Sequence, residues 1–341
     1  MSKTSQIFPE SSQQAIQKMN DLGRQGKPFL FVIDYDLKQP VVLTLEEVEE
    51  QNIFYKINDR TNFLGSFFNA GRVQNPACVV PKLEKYPISF QEYQQSFDLV
   101  KQAMLRGDSF LTNLTKPTPI KINLSLQEIF QRSRAKYQLY FKDKFVLFSP
   151  EIFVKIQDGI ISSHPMKGTI SADIPNAETV ILNDKKEFAE HTTIVDLIRN
   201  DISMISEKVW VEKFRYISRI HTHGGDLLQV SSEICGKLPA DYQSQIGTLL
   251  FKLLPAGSIC GAPKPQTLAI IKKAENYDRG YYTGIFGIFD GKNLDSSVMI
   301  RFIEKQEDGS LIFKSGGGIT VSSDARSEYQ EMIDKVYLPI M

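Results

Sequence analysis

Three consecutive strand patterns near the C-terminus constrain the fold of this chain more than any other feature. They are YYTGIFGIFDG, LDSSVMIRFIEK and SLIFKSGGGITV, and a helical pattern, SEYQEMIDKVYLPIM, closes the chain. Short runs rich in isoleucine, phenylalanine and valine, bounded by glycine and aspartate, are typical of β-strands. Helical patterns occur elsewhere in the chain, so the sequence predicts a mixed α and β protein with many strands and leaves its topology open.

The rest of the chain mixes both kinds of element. Helices are predicted for residues 11–25, ending near Gly23, and for SFQEYQQSFDLVKQAMLRGD, ending at Gly107. LTLEEVEEQ, KEFAEHTTIVDLIRNDISMI and PKPQTLAIIKKAEN are also predicted to be helical. KPFLFVIDYD and SFLTNLTKPT are predicted strands, GTLLFKLLPAG contains a strand-like run, and KFVLFSPEIFVKIQDGIISSHP is predicted to be a hairpin turning at Asp158-Gly159.

One loop-like stretch, VQNPACVVPKLEKYP, marks the predicted domain seam around Pro76–Pro87. It separates a short N-terminal segment, residues 1–85, from a main body, residues 86–341. The length of 341 residues suffices for one large domain or two modest ones.

Charge and cysteine content exclude several classes of protein. Lysine plus arginine equals aspartate plus glutamate at 40 each, so no net basic field attracts nucleic acid or an anionic membrane. The three cysteines are far apart and form neither a disulfide framework nor a zinc pattern. No stretch resembles a signal peptide or a membrane span, and reduced thiols indicate a cytoplasmic protein.

Two pairs of glutamates stand at helical spacing. Glu187 and Glu190 are three residues apart in one predicted helix, and Glu328 and Glu331 are three apart in another. That spacing places each pair on one helix face. Two such faces brought together offer carboxylate oxygens that suit Mg²⁺, whereas isolated pairs of this kind are ordinary solvated surface.

Two glycine-rich stretches and one arginine could bind an anion. PAGSICGAPKPQT contains Ser258 and Lys264, and SGGGIT contains Gly316, Gly317, Gly318 and Ile319. Small residues let the backbone approach a ligand, but a tight turn or a bulge is the favoured explanation of each stretch taken alone. Arg301 stands among apolar neighbours and suits bidentate capture of a carboxylate, or it lies at a surface rim.

Lys167, in PMKGT, is the residue whose role decides the chemistry. With an ordinary pKa of about 10.4, deprotonating it at pH 7 costs roughly 4–5 kcal/mol. Burial or a nearby cation would lower that pKa and produce a nucleophile. From spacing alone, a surface lysine before a glycine turn remains the default interpretation. His221 and His223 alternate on a strand-like run, but no third zinc ligand accompanies them.

Taken in order, these motifs resemble those of the chorismate-utilising enzymes. GDSFLTNLT, FSPEIF, PMKGT, AEHTTIVDLIRND, PAGSICGAPK, YYTGIFG, IRF, SGGGI and EYQEMIDKV cover about two thirds of the chain, from Gly107 to Val336. The resemblance is greatest to the component I subunits of aminodeoxychorismate synthase, which have lysine at the position of Lys167. Anthranilate and isochorismate synthases have alanine there, and the isochorismate and salicylate synthases carry a base lysine where this chain has Leu111.

The resemblance implies an α+β fold of two packed β-sheets with helices on the outside. It also implies conversion of chorismate and ammonia to 4-amino-4-deoxychorismate, the precursor of 4-aminobenzoate for folate biosynthesis. A separate glutamine amidotransferase would supply the ammonia. Lys167 would be the nucleophile and Glu151 the general acid. Mg²⁺ would be held by Glu190 and Glu331, with Glu187 and Glu328 acting directly or through water.

Substrate contacts are implied in the same way, and they fall on residues from several separate motifs. Tyr282 and Arg301 would hold the enolpyruvyl carboxylate, while Lys335 and the backbone of Gly316, Gly317, Gly318 and Ile319 would hold the ring carboxylate. Ser258 and Lys264 would line the same pocket.

One position departs from the family pattern, because Leu228 stands where relatives usually have a histidine. His221 or His223 would have to replace it, or that contact is absent. The alternative functions within the family are anthranilate synthase component I and isochorismate formation, and Leu228 leaves open a non-catalytic chorismate-binding relative.

Overall fold

A computed structural model of the chain describes residues 9–63, 80–222 and 225–340. Within these ranges the helices, apart from one 3-10 turn at Tyr242–Gln245, are α1 (Glu10–Arg24), α2 (Leu45–Glu50), α3 (Phe90–Leu105), α4 (Leu126–Arg132), α5 (Ala177–Asn183), α6 (Lys185–Ser203), α7 (Ile246–Lys252), α8 (Gly257–Cys260), α9 (Lys264–Glu275) and α10 (Ala325–Asp334). None of the helices in the described part of the chain is long and apolar enough to cross a membrane.

The strands of the described residues, in chain order, are β1 (Phe29–Ile33), β2 (Val41–Thr44), β3 (Ile53–Ile57), β4 (Arg60–Thr61), β5 (Leu83–Lys85), β6 (Leu111–Ile122), β7 (Tyr137–Phe141), β8 (Phe145–Ser149), β9 (Ile152–Gln157), β10 (Ile160–Ser163), β11 (Met166–Ser171), β12 (Lys208–Thr222), β13 (Gly225–Lys237), β14 (Gly261–Ala262), β15 (Ile285–Phe289), β16 (Leu294–Val298), β17 (Phe302–Lys305) and β18 (Leu311–Ile319). All the pairings between them are antiparallel.

In the described part of the chain, two nine-stranded sheets form the framework. The first has the order β11-β13-β10-β9-β16-β15-β1-β2, with β12 also paired to β13. The second has the order β14-β6-β18-β17-β8-β7-β3-β4, with β5 paired to β6. The N-terminal segment of residues 1–85 therefore contributes strands to both sheets, and the predicted seam at residue 85 separates strands that belong to the same sheets.

The sheets pack face to face, with helices outside. Strand β1 is fully buried, and its side chains alternate between two cores. Leu30 and Val32 belong to the core between the sheets, together with side chains of β3, β7 and β15. Phe29, Phe31 and Ile33 point to the other face, into a core shared with α1, α6 and α7. This arrangement agrees with the two packed sheets and outer helices that the sequence motifs implied.

The chain passes from one sheet to the other at two neighbouring places. Strand β8 lies in the second sheet and β9 in the first, so Glu151 stands at the crossing between them. Arg301 stands at the matching crossing between β16 and β17. The crossings are joined by backbone hydrogen bonds, since Phe148 N–H donates to Arg301 O (3.2 Å) and Val298 N–H donates to Glu151 O (3.2 Å).

Several sequence predictions are confirmed and three are wrong, one of them LDSSVMIRFIEK, which was predicted to be a single strand and is divided between β16 in the first sheet and β17 in the second. Helix α3 ends at Leu105 before Gly107, and Asp158 and Gly159 have φ of 50° and 81°, as the predicted β9–β10 hairpin turn requires. However, β8 belongs to the other sheet, so the predicted hairpin begins only at β9. The strand-like run before Pro255 is helix α7, because a short apolar run alone does not distinguish a buried helix from a strand.

Candidate active site

Lys167 lies on an irregular strand and not before a simple glycine turn. It belongs to β11, whose register with β13 shifts between Met166 and Thr169, and Gly168 has φ of +92°. A bulge of this kind redirects the side chain beside it. The Lys167 side chain, 41% exposed, reaches helix α6, where its Nζ lies 2.7 Å from Glu190 Oε2.

Acidic neighbours determine the protonation of Lys167. Burial acts to lower its pKa, but the hydrogen bond and charge of Glu190, together with the charges of Glu187 and Glu331, outweigh burial and raise the pKa. Lys167 is therefore an ammonium group in this arrangement, which differs from the lowered pKa that a nucleophile needs. An attacking amine at this position would first have to lose the pKa-raising interaction with Glu190.

The two glutamate pairs face glycines on two different strands. Helices α6 and α10 are both capped by an aspartate, which fixes the first turn where each pair begins. A Cβ at Gly168 would lie 3.0 Å from Glu187 Oε2. A Cβ at Gly317 would lie 3.3 Å from Glu328 Oε2 and 3.5 Å from Glu331 Oε1. Both glycines thus leave room for carboxylates directly over the backbone.

One carboxylate oxygen near Lys167 lacks a hydrogen-bond partner in the described part of the chain. Glu187 Oε2 is buried and has no hydrogen-bond partner among the described residues. Within that part of the chain, no three histidine, cysteine, aspartate or glutamate side chains converge closely enough to hold a metal ion. Mg²⁺ commonly uses one or two carboxylates and completes its shell with water and substrate oxygens. The orphaned oxygen and the neighbouring Glu190, Glu328 and Glu331 therefore fit a Mg²⁺ ion bound partly through water or substrate.

The glutamates of α10 have different electrostatic environments. Burial raises the pKa of Glu328, and the charge of Glu331 acts in the same direction. Burial also acts to raise the pKa of Glu331, but Lys335 outweighs it and the pKa is lowered. Lys335 Nζ lies 2.5 Å from Glu331 Oε1 and donates to Gly316 O at 2.8 Å. Lys335 thus connects the acidic helix to the glycine strand.

Glu151 has the environment of a carboxylic acid that retains its proton. Its backbone is fixed at the sheet crossing, where Ser297 Oγ donates to Glu151 O at 2.7 Å. Ser258 Oγ donates to its Oε1 at 2.8 Å. Burial raises the pKa of the carboxyl, against the lowering effects of Ser258, Lys335 and Arg301. A buried carboxyl of this kind suits general-acid chemistry.

A cavity of about 660 Å³ brings the catalytic candidates together. Its size suits a small organic ligand. Its walls are Met104, Ser109, Phe110, Leu111, Asn113, Glu151, Pro165, Met166, Lys167, Lys185, Lys186, Ala189, Glu190, Thr193, Ile194, Ser258, Gly318, Thr320, Val321 and Ser322. Lys167 and Glu151, which are 16 residues apart in the sequence, therefore face one space.

A second, more open depression of about 720 Å³ contains other predicted contacts. Arg301, Glu331 and Lys335 line it. The Arg301 guanidinium lies 5.1 Å from the ring centroid of Tyr337, and its Nε is buried with no partner in the described part of the chain. Because the charges of Arg301 and Lys335 both act on Glu151, this depression lies close to the first cavity.

Other predicted residues lie in strands or behind the cavity walls. Gly316–Ile319 form the end of β18, paired with β6, so they are neither a turn nor a bulge. Tyr282 is buried against Phe302 and lines neither depression. Lys264 likewise lies outside both linings, because its Nζ pairs with Asp201 Oδ1 (2.9 Å) and donates to Leu253 O (2.9 Å).

Two residues that the motifs did not single out support the site. His191 is buried behind the Lys167 strand, with Nε2 2.7 Å from Ser232 Oγ, and burial lowers its pKa. Asn113 lines the cavity two residues after Leu111, a period-two signal that could have been read from the predicted strand. Leu228 is buried opposite Ile170, while His223 and the side chain of His221 lie outside the described residues.

The match to known proteins agrees with this geometry. Residues 10–340 match the family described as chorismate binding enzyme, and the chain belongs to that family. It is 50% identical to an uncharacterized PabA-like protein of Haemophilus influenzae over 96% of this chain and 97% of the relative.

Named synthases are more distant relatives. Identity is 31% to anthranilate synthase component 1 of Acetivibrio thermocellus, over 73% of this chain and 52% of the relative. It is 28% to aminodeoxychorismate synthase component 1 of Bacillus subtilis, over 74% of this chain and 55% of the relative. The chain thus spans about half the length of these two relatives, and overall identity does not separate the two activities.

Solved structures confirm the fold. The menaquinone-specific isochorismate synthase of Escherichia coli superimposes with a TM-score of 0.70 at 14% identity, covering 98% of this chain and 82% of the other. Anthranilate synthase component I of Streptococcus pneumoniae gives a TM-score of 0.63 at 26% identity, covering 75% and 58%. The two packed sheets with outer helices are therefore the fold of chorismate-utilising enzymes.

Proposed function

We propose that this chain is a component I type aminodeoxychorismate synthase, which converts chorismate and ammonia to 4-amino-4-deoxychorismate. The observation that carries the proposal is the position of Lys167, whose Nζ reaches the same cavity as Glu151 and contacts Glu190. Anthranilate and isochorismate synthases have alanine at this position. A lysine on the cavity wall supplies a nucleophile that those enzymes lack.

Metal binding and the freeing of Lys167 are linked in this proposal. Mg²⁺ held by Glu187, Glu190, Glu328 and Glu331 would supply Lewis-acid stabilisation of charge on the ring carboxylate. A cation bound at Glu190 would compete with the Lys167 ammonium for the same carboxylate, so the pKa of Lys167 would fall from its raised value. In this proposal the ion pair between Lys167 and Glu190 is the resting state of the nucleophile.

The Glu151 carboxyl and the Lys167 amine then carry out the replacement of the C4 hydroxyl by ammonia. Lys167 Nζ bonds to ring C2, both ring double bonds shift by one position, and the C4 hydroxyl departs with the proton of Glu151 as water. Ammonia next bonds to C4, both double bonds shift back, and the bond from C2 to Lys167 breaks. The Glu151 carboxylate takes the proton that ammonia loses, so both residues return to their starting states.

Substrate charges would be held by cations at the edge of the site. Arg301 has an unpaired buried Nε, and Lys335 donates to Gly316 O beside the glycine strand. Both suit the two carboxylates of chorismate. Tyr282 and Lys264 are proposed only as supports behind the wall, because neither lines a depression.

Ammonia is proposed to come from a separate glutamine amidotransferase subunit, and the pathway is proposed to lead to 4-aminobenzoate and folate. The support is the PabA-like name of the Haemophilus relative and the similarity to the aminodeoxychorismate synthase component 1 of Bacillus subtilis. A cytoplasmic location is proposed on the same basis.

Mass spectrometry of the product tests the proposal. The chain is incubated with chorismate, MgCl₂ and an ammonium salt, and aminodeoxychorismate is expected. Anthranilate fluorescence without an added lyase would identify an anthranilate synthase instead. Isochorismate formed without ammonia, or tight chorismate binding with no turnover, would equally contradict the proposal.

Replacing the nucleophile tests the observation that carries the proposal. Lys167→Ala is expected to reduce aminodeoxychorismate formation to background, while thermal unfolding changes little because the side chain is 41% exposed. Lys213→Ala is the matched control, since it removes a lysine that pairs with Glu233 at 3.1 Å outside the cavity. If Lys167→Ala formed product at the wild-type rate, a mechanism with a covalent bond between Lys167 and ring C2 would be ruled out.

A further inference from the structure

We propose that Asn113 binds the ammonia nucleophile and thereby favours ammonia over water at C4. This inference rests on the proposed function and adds a residue that selects the second substrate. Asn113 and Leu111 occupy alternate positions of β6 and both line the cavity. Gly318, the residue paired with Asn113 in β18, has no side chain and also lines the cavity.

Asn113 differs from the other neutral polar side chains on the cavity wall. Its Oδ1 is buried and has no hydrogen-bond partner among the described residues. The remaining neutral polar side chains of the lining all take part in hydrogen bonds, namely Ser109, Thr193, Ser258, Thr320 and Ser322. A buried amide oxygen without a donor is a site where a ligand N–H replaces the missing partner.

The backbone of Asn113 is held rigidly. Arg279 Nη2 donates to Asn113 O at 2.8 Å, and the same guanidinium pairs with the buried carboxylate of Glu275 at 2.6 Å. The position of the side chain is therefore fixed, while its terminal torsion, between sp³ and sp² atoms, remains soft. Rotation about that torsion would bring the buried Oδ1 within reach of a ligand in the cavity.

The surrounding wall favours an uncharged nucleophile. Met104, Phe110, Leu111 and Val321 line the cavity together with Asn113. An apolar surface disfavours ammonium far more than neutral ammonia, because a desolvated charge without a partner is costly. A neutral amide oxygen accepts one ammonia N–H without attracting ammonium as a carboxylate would.

The chemistry at this point balances with the substitution already described. Ammonia donates one N–H to Asn113 Oδ1, which leaves its lone pair free to bond to C4. As the new C–N bond forms, the bond from C2 to Lys167 breaks and its electron pair returns to Nζ. The excess proton on the new amine passes to the Glu151 carboxylate. Asn113 takes up no proton and returns unchanged.

Steady-state kinetics of Asn113→Ala and Asn113→Asp test the proposal. Loss of one hydrogen bond in Asn113→Ala is expected to raise KM for ammonia by about tenfold, with KM for chorismate unchanged. Asn113→Asp keeps an acceptor oxygen in the same place and is expected to recover most of the affinity for ammonia. Asn123→Ala, at an exposed residue that directly follows the same strand, is the control.

The outcomes separate this inference from the proposed function. The role of Asn113 would be overturned if Asn113→Ala kept the wild-type KM for ammonia, or if its KM for chorismate rose equally. Neither result would contradict the proposed synthase function. Failure of the wild-type chain to form any ammonia-derived product would overturn both. Thermal unfolding of each variant confirms that the compared proteins are folded.

Discussion

At the residue scale, Lys167 shows how a neighbouring charge decides what a side chain can do. Burial alone would lower its pKa, yet Glu190 at 2.7 Å, with Glu187 and Glu331 nearby, raises it. The sequence indicated that a lysine stands in a conspicuous place. It could not indicate that the lysine rests on one of the predicted metal ligands, because that contact joins β11 to α6 across the fold.

Glu151 provides the residue-scale prediction on pH. Burial raises its pKa above the ordinary value of 4.5, so the folded state binds its proton more tightly than the unfolded state does. The stability contributed by this difference is fully present below pH 4.5 and is lost as pH rises through the folded pKa. Glutamine stays neutral, so Glu151→Gln is expected to become progressively more stable relative to the wild type as pH rises.

Chemical denaturation of both proteins from pH 4.5 to 8 measures this difference, and a difference independent of pH would contradict the raised pKa. The same substitution removes the general acid and is expected to reduce aminodeoxychorismate formation by about 10²–10⁴-fold. Ser258→Ala is an informative companion, since it removes only the hydrogen bond to Glu151 Oε1.

At the element scale, the bulge in β11 places Lys167. Gly168 has φ of +92°, and a Cβ there would lie 3.0 Å from Glu187 Oε2. We expect Gly168→Ala to lower the free energy of unfolding by about 1–2 kcal/mol, because an alanine is strained at positive φ. We also expect it to displace Glu187 and abolish most of the synthase activity.

Gly309→Ala separates strain from the effect on the site. Gly309 has φ of +83°, but nothing lies within 4 Å of an added Cβ. Thermal unfolding should therefore show a similar loss in both variants, whereas product formation should fall only in Gly168→Ala. Full activity in Gly168→Ala would show that the bulge does not position the catalytic groups.

Local patterns predicted the elements whose signals are local. The capped helices α3 and α6 and the Asp158-Gly159 turn follow from spacing and turn chemistry. The apolar run of α7 was misread, because tertiary burial and not period decides between helix and strand there. The bulge at Gly168 was also missed, since it depends on the register with β13, which no local pattern specifies.

At the scale of the whole molecule, the site exists because the chain crosses between sheets twice at one place. Glu151 and Arg301 stand at these crossings, and Phe148 N–H and Val298 N–H join them. In the sequence, FSPEIF and VMIRFIE each look like one continuous strand. The motifs therefore named the candidate residues, while their meeting in one region depends on long-range pairing of β8 with β17 and β9 with β16.

The same long-range pairing makes the N-terminal segment part of the structural unit. Strand β1 is fully buried between β15 and β2, and β3 supplies Ile53, Tyr55 and Ile57 to the core between the sheets. Removing residues 1–85 would expose the β15 and β7 edges and the apolar faces beside them, at roughly 25 cal/mol per Å² of apolar surface.

A chain shortened to residues 86–341 is therefore expected to lose cooperative folding, even though it contains every candidate catalytic residue. Circular dichroism during heating, compared with the full-length chain, measures this directly. The physical reason is that the core between the sheets is incomplete without β1 and β3. The burial free energy lost with these strands exceeds the net stability of a domain, which is about 5–15 kcal/mol. A sharp unfolding transition in the shortened chain, accompanied by product formation, would show that the main body folds and works without the N-terminal strands.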